Sequence, residues 1–216
     1  MNRTATLPGV VHVVDDDQAF RKAMGRLLTA AGHMPKLYAS AHEYLATQDA
    51  ASPACVLLDL RMPGATGLDL QSALAQRTDA HPVIFLSGHG DIPSTVRAMR
   101  GGAIDFLTKP VPTATLLAAI HKALERDLER AQENARVTQI KQLYASLTPR
   151  ERQVMAGVVD GRLNKQICFA LHAAERTIKT HRSRVMEKMG VRSVAELVRI
   201  AEELVASGVA LETLPD

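Results

Sequence analysis

The chain has 216 residues, 46% hydrophobic and 23% charged, a soluble protein's composition at a length that suits two units, each burying its own core. No apolar run approaches the roughly 20 residues of a membrane-spanning helix, and the polar start Met1, Asn2, Arg3, Thr4 carries no secretory signal, so the cytoplasm is the expected compartment, with no membrane partner. The net charge of +3 says little as a total, but between residues 176 and 192 six basic residues stand against one acid, Glu187.

Short, mostly apolar runs at 10–14, 34–38, 54–59, 83–86 and 105–108 read as strands covered on both faces. Between them, residues 20–31, 41–47, 68–76 and 94–100 carry apolar side chains at helical spacing, and the alternation predicts βαβ units around a parallel sheet. A fifth helix begins after Pro112. With neither Gly nor Pro from Thr115 to about Lys141, it is long enough to join two units. Leu117, Ile120, Leu124, Leu128, Ala131 and Ala135 form one stripe along it, whose first half is expected to pack on the first unit. Thr148-Pro149-Arg150-Glu151 then supplies an N-cap residue, a proline at the first helical position and an acid in the first turn. Four helices follow, at 149–159, 164–171, 175–189 and 193–206, enough for a small all-α unit. Cys55 and Cys168 have no metal-ligand spacing and read as packing residues.

In a doubly wound sheet, ligands bind where the carboxyl ends of the strands meet a topological switch point. The polar residues of this chain fall at such ends: Asp15, Asp16 and Asp17 after the first strand, Asp59 at the end of the third, Ser87 after the fourth, Lys109 after the fifth. Carboxylates from two strands in one crevice repel each other unless a cation shares them, and oxygen-only ligands suit Mg²⁺ or Mn²⁺. A phosphoryl group arriving on a carboxylate needs its equatorial oxygens neutralised, which Lys109 and a divalent ion can do. Ser87 can hydrogen-bond the new oxygens, and Phe106, three residues before Lys109, can fill the space Ser87 vacates. Asp17 suits a helix cap.

Four motifs in register, Val-Val-Asp-Asp-Asp at 13–17, Leu-Asp-Leu-Arg-Met-Pro at 58–63, Ser-Gly-His-Gly-Asp at 87–91 and Asp-Phe-Leu-Thr-Lys-Pro at 105–110, resemble a receiver domain over residues 9–125. The stretch from 85 to 91 is most similar to FixJ-like regulators, with Val111 standing where that subfamily usually has an aromatic. The resemblance implies a flavodoxin-like fold with a five-stranded sheet and an aspartyl-phosphate at Asp59. It also implies Mg²⁺ held by Asp15, Asp16, Asp59 and the backbone carbonyl of Arg61, with Ser87 and Phe106 as a switch pair beside Lys109.

On the helix at 175–189, a 3.6-residue period puts Ile178, Val185 and Met189 on one face and Arg176, Lys179, Thr180 and Ser183 opposite, flanked by Arg182 and Arg184. A basic face opposite the core suits a helix in the major groove, with base readers at the centre and phosphate contacts at the margins. Leu-Thr-Pro-Arg-Glu-Arg-Gln-Val at 147–154, Asn-Lys-Gln-Ile at 164–167 and Arg-Thr-Ile-Lys-Thr-His at 176–181 resemble the LuxR-type helix-turn-helix over residues 146–206, leaving 126–145 as a helical linker. By that likeness Lys179, Thr180 and Ser183 read bases, while Asn164, Lys165, Arg176, His181, Arg182 and Arg184 contact phosphate or sugar. His181 lies toward the packed side. Three per cent aromatic content argues against single-strand stacking.

The expected function is that of a response regulator of the NarL/FixJ type, not an enzyme. A histidine kinase is expected to phosphorylate Asp59, and this either promotes homodimerisation or unmasks the DNA-binding unit, two schemes the sequence does not separate; the protein then binds double-stranded DNA and activates transcription with RNA polymerase. A phosphohydrolase using Asp59 as nucleophile is disfavoured, because such enzymes place a second acid two residues on, where this chain has Arg61. A constitutive DNA-binding regulator with an inert receiver is the other alternative, against which the set Asp59, Ser87 and Lys109 counts.

Overall fold

The computed structural model describes residues 7–47, 53–77, 80–88 and 91–214. They divide into two compact units between Ala131 and Gln132. In the first, five parallel strands, β1 (Val10–Val14), β2 (Met34–Tyr38), β3 (Ala54–Asp59), β4 (Val83–Ser87) and β5 (Asp105–Thr108), stand in the order β2-β1-β3-β4-β5. The order reverses direction between β1 and β3, whose registered pairs run from Val10 opposite Ala54 to Val14 opposite Leu58. That reversal opens the crevice at their carboxyl ends.

Alternate strand residues supply two cores, as a period of two requires. On one face Val11, Val13, Cys55, Leu57, Ile84 and Leu86 pack with Met24 and Leu28 of α1 (Gln18–Ala30) and with Leu116, Ile120 and Leu124 of α5 (Thr113–Ala145). On the other, Val14, Val56, Leu58 and Phe85 meet Tyr44 of α2 (Ala41–Leu45), Leu70 and Leu74 of α3 (Gly67–Leu74) and Ala98 of α4 (Ile92–Arg100). Cys55 is fully buried, and desolvation together with the nearby Asp127 carboxylate pushes its thiol pKa well up, so it is an inert packing residue.

Helix starts differ from the sequence expectation by a turn or less, and capping explains why. The Asp17 carboxylate accepts from the backbone N–H groups of Ala19 and Phe20, so α1 starts at Gln18 rather than at residue 20. Asp91 likewise caps α4, whose first turn accommodates Pro93, so this helix begins at Ile92 rather than at residue 94. The fifth helix starts directly after Pro112, as expected, and runs through the linker to Ala145. The first compact unit takes this helix as far as Ala131.

In the second unit, α6 (Pro149–Val159), α7 (Asn164–Ala170), α8 (Glu175–Lys188) and α9 (Val194–Ala206) enclose Val154, Met155, Ile167, Ile178, Val185, Leu197 and Leu204. Ile140 and Tyr144, from the last turns of α5, belong to the same core. The Thr148 hydroxyl and the Glu151 carboxylate form a reciprocal capping box that starts α6. No helix of the described residues is long and apolar enough to cross a membrane.

Candidate functional site: a carboxylate crevice and a basic helix face

At the switch point, Asp15 leaves β1 and Asp59 ends β3, both buried. Lys109 reaches between them: its Nζ donates to Asp15 Oδ2 at 2.6 Å and to Asp59 Oδ1 at 2.7 Å. The remaining carboxylate oxygens are held by the main chain, Asp15 Oδ1 by the N–H of Asp17 and Asp59 Oδ2 by the N–H of Arg61, at 2.8 and 2.7 Å. Both acids are thus fixed in orientation by their own loops, and the ammonium crosslinks three strand ends. Lys109 Nζ also lies 3.9 Å from the centroid of the Phe20 ring, a cation–π contact that no motif suggested. Burial pushes the Lys109 pKa down, but the hydrogen bonds and charges of Asp15 and Asp59 outweigh it and hold the group above lysine's ordinary value.

Ser87 is buried at the end of β4, and its carbonyl accepts the backbone N–H of Lys109 at 2.8 Å. Half-buried Phe106 stacks on Phe85 with ring centroids 6.0 Å apart. Of the motif at 87–91, His89 and Gly90 lie outside the described residues. Arg61 is exposed and lies 3.8 Å from Asp91, the cap of α4, a link that the sequence did not signal because thirty positions separate the two.

Asp16 is exposed, whereas its neighbour Asp15 is buried, since successive residues leaving a strand face opposite ways. Among the described residues no three Asp, Glu, His or Cys side chains converge as a metal site. The donors that do converge, Asp15 and Asp59, are oxygen ligands, and one ammonium against two carboxylates leaves the crevice negative. That donor set fits a hard divalent cation that keeps several waters, such as Mg²⁺ or Mn²⁺.

Gly67 opens α3 against β3, the strand that Asp59 ends. A Cβ there would press into the carbonyl oxygen of Asp59 and meet Phe85 Cε1 at 3.0 Å. Gly67→Ala is therefore expected to destabilise the first unit by about 1–3 kcal/mol, the usual cost of overpacking, and to disturb Asp59. Urea unfolding followed by hydrogen exchange checks it, and an unchanged midpoint would refute the close approach.

In the second unit, Ile178, Val185 and Met189 are buried as the helical period required, and Arg176, Lys179, Thr180, Ser183 and Arg184 are exposed. Lys165 is exposed at the start of α7. Arg182 donates from Nη1 to Asn164 Oδ1 at 3.0 Å, so two expected phosphate contacts are tied to each other across α7 and α8. His181 is half-buried with Nδ1 enclosed and without a hydrogen-bond partner, which puts it at the margin of the exposed face. The Lys188 ammonium donates to the buried Glu151 carboxylate at 2.7 Å and pins the end of α8 to α6. That hydrogen bond is the chief reason the Glu151 pKa is held below the usual carboxylate range, against the opposing effect of burial.

Comparison with known proteins matches both units. Residues 11–121 match the family described as response regulator receiver domain, and residues 145–201 match the bacterial regulatory proteins of the luxR family. Nodulation protein W of Bradyrhizobium diazoefficiens is 43% identical over 200 residues, covering 93% of this chain and 88% of its own. The transcriptional regulatory protein FixJ of the same species is 39% identical over 196 residues, 91% of this chain and 96% of its own. Among solved structures, that of the response regulator StyR is similar with a TM-score of 0.81 at 43% identity, covering 91% of this chain and 98% of that one.

Proposed function

Because the chain belongs to the two-component response regulators that join a receiver domain to a luxR-family DNA-binding domain, we propose that Asp59 is its phosphoacceptor and a histidine kinase its donor. The protein is a transcription regulator. The single observation that carries the site assignment is the Lys109 ammonium shared by Asp15 and Asp59 at the switch point.

A carboxylate oxygen of Asp59 attacks phosphorus in line as the bond to the donor's imidazole nitrogen breaks. Asp15 and Asp59 would hold Mg²⁺ or Mn²⁺, with Asp16 and the Arg61 carbonyl as further oxygen donors. When bound, the ion neutralises charge on the equatorial phosphoryl oxygens. Lys109 exchanges its hydrogen bond to Asp59 for one to a phosphoryl oxygen, so the site is prepaid with the cation the product needs. The Ser87 hydroxyl donates to another such oxygen, drawing the end of β4 inward, and Phe106 follows into the space released.

That shift reaches α4, whose exposed Ile92, Val96 and Met99 supply an apolar surface for dimerisation. A homodimer presents two copies of α8 to two operator half-sites, so phosphorylation raises operator affinity through avidity. Lys179, Thr180 and Ser183 read base edges. Arg176, Lys165, Arg182 with Asn164, His181 and Arg184 contact phosphate or sugar. Recruitment of RNA polymerase makes the regulator an activator.

The test is labelling of the full chain with acetyl phosphate and Mg²⁺, read by intact mass and sedimentation. Wild type is expected to gain one phosphoryl group and to associate, and Asp59→Asn to do neither. Labelling of Asp59→Asn, or no labelling of wild type, would overturn the assignment of Asp59; labelled protein that stays monomeric would overturn the dimerisation step.

A further inference from the structure

Lys179 is paired in the structure. Its Nζ lies 3.0 Å from the carboxylate of Glu175, one turn earlier on α8, and both side chains are largely exposed. Glu175 is the first residue of the helix and the acid of its first turn. A carboxylate there is favourable to the helix dipole, and the N-cap, Ala174, offers no side-chain bond to the first-turn amides. That benefit explains an acid at any helix start. On a helix aimed at a polyanion, however, the same charge is repelled by every phosphate it approaches, a cost that other helix starts do not carry.

The edge of a base pair offers a compensation. In the major groove a G·C pair presents two adjacent acceptors, guanine N7 and O6, followed by one donor, the cytosine N4 amino group. An ammonium and a carboxylate four residues apart on one helix side present the matching pair, a donor for N7 and O6 beside an acceptor for N4. An A·T pair instead sets its single donor between two acceptors, so a carboxylate placed on adenine N6 faces unfavourable oxygen and nitrogen lone pairs on either side.

We infer that Glu175 is a specificity-determining residue: with Lys179 it forms a donor–acceptor couple that selects a G·C pair, Glu175 accepting from cytosine N4 and Lys179 donating to guanine. This rests on the reading of α8 as the helix that enters the groove. Away from such a pair, Lys179 stays with Glu175, and the carboxylate subtracts from non-specific attraction instead of adding to binding. The couple thereby widens the gap between operator and bulk DNA from both sides.

The experiment is selection from a randomised double-stranded DNA library with the full chain, labelled by acetyl phosphate and Mg²⁺. Wild type, Glu175→Gln and Glu175→Ala are compared, and binding is then measured to the wild-type consensus, to its G·C to A·T variant at each position, and to random-sequence DNA. Wild type is expected to select cytosine at one position of each half-site. Both variants should lose that preference by about tenfold or more while keeping the others, with glutamine admitting adenine. Affinity for random DNA should rise in both. If both variants keep every base preference and bind all DNA more tightly by one common factor, Glu175 is only a charge at a helix start and the inference is overturned. If wild type selects no sequence at all, the assignment of α8 falls first and the couple with it.

Discussion

Lys109→Ala is expected to slow phosphoryl transfer from acetyl phosphate to Asp59 by about a hundredfold or more, the scale on which removal of one preorganised charge-stabilising donor acts. The side chain is placed for that role before any phosphoryl group arrives, 2.7 Å from Asp59 and 2.6 Å from Asp15. Its loss leaves two buried carboxylates with no shared cation, so added Mg²⁺ should recover folding stability more fully than it recovers the rate. Arginine is a poor replacement, because its larger planar fork fixes the donor directions that the compact ammonium can rotate to meet both acids. Phosphate-affinity gels give the rate, and a wild-type rate in the alanine variant would remove Lys109 from the mechanism.

The same group sets an alkaline limit. Its pKa is raised in the fold, since the two carboxylates outweigh the opposing burial, so the stability it confers is complete below lysine's ordinary value of about 10.4. As pH rises through the higher folded value, that contribution is lost. Wild type should therefore lose stability with pH above that range, and Lys109→Ala should lack this part of the slope, which urea unfolding across alkaline pH resolves.

What could be read from the sequence was whatever rests on local period or on a motif. The five strands fell where short apolar runs predicted them, and the placement of Asp15, Asp59, Ser87 and Lys109 at their ends followed from parallel topology. Burial of Ile178, Val185 and Met189 followed from the helical period. Partners distant in the sequence were not legible. Arg182 and Asn164, or Lys188 and Glu151, pair across helices with no pattern that joins them. His12 was hidden differently: it sits fully buried inside the apolar run Val10–Val14, where its Nδ1 meets the Tyr38 hydroxyl at 3.0 Å and its ring stacks on His81. A polar residue in a core strand is legible only once its partners are known.

Asp127 belongs to that polar cluster, and Asp127→Ala is expected to destabilise the first unit by about 3–5 kcal/mol, the cost of removing one member of a buried ionic network. Its carboxylate is fully buried on α5 and accepts from the Ala54 N–H at 3.0 Å and from Arg130 Nη2 at 2.6 Å, with His81 Nδ1 at 3.3 Å. Alanine would leave the Ala54 amide without this acceptor and remove the carboxylate that Arg130 Nη2 meets, each beside a packed core. Asparagine keeps an acceptor for Ala54 but no charge, so its cost should be smaller.

Burial raises the Asp127 pKa, but His81, the Ala54 amide and Arg130 together overcome it, and the group is held below the usual carboxylate value. Its contribution is thus present above a pH of about 4 and lost as pH falls through the depressed folded value. Hydrogen exchange by mass spectrometry distinguishes this from general weakening: peptides over β3 should lose protection in Asp127→Ala, and peptides over α8 should not. Unchanged β3 protection would show that the cluster bears no load. The site of the effect matters because Ala54 begins the strand that Asp59 ends. Through Asp127, α5 holds the first residue of the strand that Asp59 ends.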